Sequence, residues 1–149
     1  MSYGSRITTW IGNDRPLTFA GRRIDVVILA SAISAGIHGA LVQDHFQEGT
    51  GTGIGFVVAT LLLAGVAIFL THNPARFVVV GATAIFIGLI VSYALVITTG
   101  MPVLHPGVEA TDGLALFTKT VEAVGLLTAA RLLRRPSSTA HTQTKGTLT

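Results

Sequence analysis

The chain has 149 residues, half of them hydrophobic and only 11% charged, with a formal net charge of +3 and no cysteine. Soluble domains carry about 25% charged residues, so this balance argues against a soluble fold and for a lipid-embedded one. Without cysteine there are no disulfides, thiolate metal sites or cysteine nucleophiles. The basic residues sit where membrane topology would place them, so nucleic acid is rejected as a partner.

Residues 1–23 are polar and irregular and lack the pattern of a cleaved signal peptide. They read as a cytoplasmic N-terminal segment, in which Trp10 and Phe19 can touch the headgroup layer. Four apolar stretches follow, at residues 24–45, 51–71, 77–99 and 113–133, each near the length a tilted membrane helix needs. The first two links are short, the second containing Pro74, and they force antiparallel neighbours. The third link, with Pro102 and Pro106, is a longer loop. The expected fold is all-α: an integral membrane four-helix bundle over residues 24–134, followed by a disordered cytoplasmic tail over 135–149.

Lysine and arginine set the orientation. One side holds Arg6, Arg15, Arg22, Arg23, Arg76, Arg131, Arg134, Arg135 and Lys145, and the two loops on the other side hold none. The positive-inside rule then places both termini in the cytoplasm, in the cytoplasmic (inner) membrane. The opposite face is acidic: Asp44, Glu48, Glu109 and Asp112, four of the seven acidic residues, lie there with His45 and His105. For packing, Ser31, Ala35 and Gly39 form a small-residue row on the first span, and Gly51 and Gly55 a short GxxxG on the second.

Polar residues inside the spans are the candidates for chemistry. Ser31, Ser34, His38 and His45 form one stripe on the first span, which should turn away from lipid. On the fourth span, Asp112, Ala115, Lys119, Glu122, Leu126 and Ala129 share a face, and Lys119 and Glu122, three apart, can form an ion pair or a proton site. Counted at about 1.5 Å per residue from the acidic end, His38 lies about 10 Å deep, Lys119 about 10 Å and Glu122 about 15 Å. If the first and last spans are neighbours, His38 meets Lys119 or Glu122. At the acidic end, His38, His45, Glu48, His105, Glu109 and Asp112 are candidate ligands for copper, zinc or iron. Haem held by two histidines within the bundle is not expected, because only His38 lies well inside a span, which leaves His45 with His105 at the surface as the open pairing. No catalytic or phosphate-binding motif of a common soluble type is present, so an enzyme is not the expected reading.

The pattern His38–x6–His45–Phe46–x–Glu48, with the later Gly100-Met101-Pro102, Glu109, Asp112 and Glu122, resembles a group of small four-span bacterial hypothetical membrane proteins. These share an H-x6-HF-x-E segment and a G-[LM]-P loop, and the resemblance covers residues 24–133. It implies a four-span fold and carries no activity. The chain departs from that group at Gly49 and at Thr98 and Thr99, where an aromatic residue and an arginine are expected.

Three functions fit this reading. The first, which the sequence favours because small bundles without a motif are most often that, is a non-enzymatic accessory or complex-forming subunit with a His/acid-rich extracytoplasmic end, in a homo-oligomer or a larger membrane complex. The second is a metal- or redox-handling protein using His38, His45, Glu48, His105 and Glu122. The third is a proton-coupled small transporter using Glu122, as a homodimer because four spans enclose little pathway.

Overall fold

The computed structural model describes residues 19–99 and 112–134. It holds four helices: α1 (Phe19–Glu48), α2 (Thr50–His72), α3 (Arg76–Thr98) and α4 (Gly113–Leu133). All four are long and apolar enough to cross a membrane. Helix α1 packs on α2 and α4, and α3 on α4 and α2, with α1–α2 the most extensive contact. The bundle is therefore a ring of antiparallel neighbours, as short links demand.

The spans fall where the hydropathy placed them, except that α1 is longer at both ends. It begins at Phe19, inside the segment expected to be irregular, and runs on through Phe46, Gln47 and Glu48. Only Gly49, in extended conformation, separates it from α2. The polar residues at these ends do not oppose a helix, because a helix satisfies its own backbone wherever lipid gives way to water. Threonines within the spans do likewise: Thr60, Thr83, Thr118 and Thr128 each donate to the carbonyl four residues back at 2.8 Å.

The two ends of the bundle differ. Toward the Arg76 end the interior is a dry core of Val27, Ala30, Leu63, Val66, Leu70, Val79, Ala82, Phe86 and Ala129. Toward the His45 end the buried groups are polar: Ser34, His38, His45, Thr52 and Thr118. Leu29, Leu61, Phe69 and Phe77 point outward, more than half exposed, as an apolar exterior suited to lipid requires.

Close approaches occur at particular glycines. A Cβ built on Gly39 meets Thr60 Cγ2 at 3.3 Å, so the small-residue row of α1 packs closely against α2 there. On α2 the packed glycine is Gly53, whose missing side chain makes room for the Phe46 ring; Gly55, expected to pack, has open space beside it. Phe46 seats on Gly53 because α1 continues past the expected boundary. Gly125 lies under Phe86, where an added Cβ would stand 2.7 Å from Phe86 Cζ and 3.0 Å from Ala30 Cβ. Gly125→Ala is expected to destabilise the bundle by about 1–3 kcal/mol through overpacking, measured as a lower midpoint in detergent unfolding.

Candidate functional site

Glu122 is the centre of the polar interior. It is 0% exposed, and each carboxylate oxygen has its own partner. Ser34 Oγ on α1 donates to Oε1 at 2.7 Å. Lys119 Nζ, three residues back on α4, pairs with Oε2 at 2.7 Å. The i,i+3 spacing puts the ammonium over the acid on one helix face, and the α1–α4 contact brings the serine from the other side. The small residues around it, Ser34 and Gly125, let the helices close on a side chain that lipid would not tolerate.

His38 stands one turn from Ser34. Its Nδ1 lies 2.9 Å from the Ser34 carbonyl, which can only accept, so Nδ1 carries the proton and Nε2 is left for other partners. Nε2 lies 3.9 Å from Glu122 Oε1, the span of a polar contact that one water can bridge. His45 repeats the arrangement two turns on, with Nδ1 2.8 Å from the Leu41 carbonyl and Nε2 4.0 Å from Glu48 Oε2. Phe56 of α2 holds both rings: it stacks on His45 with centroids 3.6 Å apart and tilts against His38 at 5.2 Å.

A cavity of about 400 Å³ opens above these groups at the His45 end. His38 and Lys119 line its depth, with Phe56, Leu89 and Tyr93 beside them, and Asp44, Glu48 and Asp112 stand nearer its mouth. Lys119 Nζ sits 5.3 Å from the centre of the Tyr93 ring, and the Tyr93 hydroxyl is buried with no hydrogen-bond partner among the described residues. Glu122 lies behind Lys119 and does not line the cavity. Asp112 caps α4 by accepting from the Ala115 amide at 2.6 Å, which fixes where that helix starts.

The structure brings His38, Lys119 and Glu122 together, and holds His45 and Glu48 one cavity depth away. His105 and Glu109 lie outside the described residues. Among the described residues, no three His, Asp or Glu side chains gather around a possible metal position. Seven residues of helix separate His38 from His45, about 10 Å, too far for one ion to take both. Ser34, Phe56, Thr118 and Tyr93 complete the site, and of these only Ser34 stood out in the sequence. A lone tyrosine in a largely apolar span was the available sign for Tyr93, since a buried hydroxyl calls for a partner.

Fold and site together define a four-helix protein of membrane-spanning dimensions with a buried ion pair beside a cavity of mixed polar and apolar lining. The chain matches no protein family, no characterised protein and no solved structure.

Proposed function

We propose that the chain is an integral protein of the cytoplasmic membrane, with both termini in the cytoplasm, and that it is a small proton-coupled transporter acting as a homodimer. The observation that carries this reading is the fully buried Glu122, shared between Ser34 and Lys119 and reached by His38 from the floor of the cavity. Ionisable groups inside a membrane bundle are costly, at about 2.5–3.5 kcal/mol each on insertion scales, and mark proton or substrate paths. The orientation rests on the basic residues at the Arg76 end, which puts the cavity mouth on the extracytoplasmic side. The packed core beyond Phe86 closes the other side, so passage requires a second conformation, and a partner copy supplies the surface against which a four-helix unit can rock.

In proteoliposomes, acidifying the cavity side is expected to drive solute accumulation by the wild-type protein. Glu122→Gln, which keeps the shape and cannot exchange a proton, is expected to abolish the pH-dependent part. Equal pH-driven accumulation by the variant overturns the reading.

A further inference from the structure

Resting on the proton-coupled reading, we propose that the cavity takes a small monocarboxylate with an apolar tail, its carboxylate received by Lys119 and the Tyr93 hydroxyl. Three observations carry this. First, of the oppositely charged pair beneath the cavity, the base faces it and the acid does not: Lys119 lines the wall while Glu122 is 0% exposed behind it. A ligand reaching the floor therefore meets a cation first. Secondly, Tyr93 lines the same wall, Lys119 lies over its ring, and its buried hydroxyl has no hydrogen-bond partner among the described residues. An O–H donor and an ammonium on one wall suit a carboxylate. Thirdly, most of the remaining lining surface is apolar, from Leu41, Phe56, Leu89 and Val96, with Thr52, Ser92 and Thr118 set among it, and the volume of about 400 Å³ lies within the range of small-molecule sites.

The acidic residues do not reverse this preference. Asp44, Glu48 and Asp112 are exposed, and Asp112 is committed to the α4 cap. Charges in water are screened, whereas the mostly buried Lys119 acts at lower dielectric. A cation drawn in by the rim would arrive against Lys119.

Binding in this mode moves a proton. As Lys119 turns to the ligand it leaves Glu122 Oε2, and a buried carboxylate without its counter-charge is strongly disfavoured. Glu122 then takes one proton, either the one the acid brought in or one from water through His38, and the bound ligand remains a carboxylate. The ionisable groups around Glu122 are few: His38 on α1 and Lys119 on α4, with Tyr93 of α3 beyond Lys119. Within α2 only His72 is ionisable, at the far end of the helix.

The test is calorimetric titration of the purified full chain in lipid nanodiscs with benzoate, in two buffers of different ionisation enthalpy at neutral pH, beside benzamide and benzylamine. Benzoate is expected to bind with about one proton taken up per site, and benzamide at least tenfold more weakly. Tyr93→Phe should weaken benzoate about tenfold. Lys119→Met combined with Glu122→Gln, which removes both charges and so strands neither, should abolish binding. No benzoate binding up to about 10 mM, where even millimolar affinity would register, or binding that survives the double substitution, overturns the proposal. Benzylamine bound with release of a proton overturns the ligand class and leaves the proton-coupled reading standing. Benzoate bound through Lys119 with no proton exchanged keeps the ligand class and overturns Glu122 as the proton site.

Discussion

Lys119→Met is expected to lower the stability of the bundle by about 3–5 kcal/mol, the cost of leaving one partner of a buried ion pair without the other. An exposed pair at the same spacing would lose only about 0–1 kcal/mol, so the size of the effect reports how dry the site is. The geometry favours the large value. Glu122 is 0% exposed and Lys119 18%, with 2.7 Å between the charged atoms. Ser34 supplies one further hydrogen bond to the acid, which cannot replace a full counter-charge. Glu122→Gln in the same background should recover most of the loss, because it removes the stranded charge while keeping the Ser34 contact. Reversible unfolding in mixed micelles measures both. A loss within about 1 kcal/mol for Lys119→Met would show that water or a snorkelling side chain already screens the pair, and the buried proton site would go with it.

The parts of this arrangement legible in the sequence are those that follow from period and depth. Hydropathy sets the four spans, because the thickness of a bilayer fixes the length of apolar run that crosses it. The 3.6-residue period puts Ser34, His38 and His45 on one stripe of α1 and Lys119 and Glu122 on one face of α4, and equal depth makes their meeting possible. What periodicity does not determine is which helix lies beside which, and so which oxygen of Glu122 takes which partner. Ser34 was legible as a polar residue and not as a donor to an acid 88 positions away. Phe56 and Tyr93 come from α2 and α3, whose apolar residues surround the whole helix and give no direction. The helix ends were the other gap: α1 runs about a turn past the apolar stretch at each end, because hydropathy reports where apolar residues stop and not where helical hydrogen bonding stops. Of the proposed outer cluster, His105 and Glu109 lie outside the described residues.

Phe86→Ala is the substitution expected to separate the closed end of the cavity from the open one. Phe86 is 0% exposed and is the largest wholly buried side chain among the described residues. It lies one turn below Leu89 of the cavity wall, between the polar half of the bundle and the apolar core toward Arg76. Truncating such a ring costs about 3–5 kcal/mol in lost contacts and cavity, since packing rather than water exclusion holds helices together in lipid. Its ring also presses on Gly125, so the two positions are coupled. Gly125→Ala, destabilising alone, should cost less once Phe86 is alanine, a non-additivity of at least about 1 kcal/mol, with the 3.0 Å approach to Ala30 Cβ as the remaining strain. If the ring closes the way from the cavity to the Arg76 end, Phe86→Ala will also raise the proton permeability of liposomes carrying the protein, read with an entrapped pH dye, and Glu122→Gln in the same chain will lower it again. Destabilisation with unchanged permeability would mean that the core below Phe86 is a seal without it, and that the route to the far side does not pass this ring.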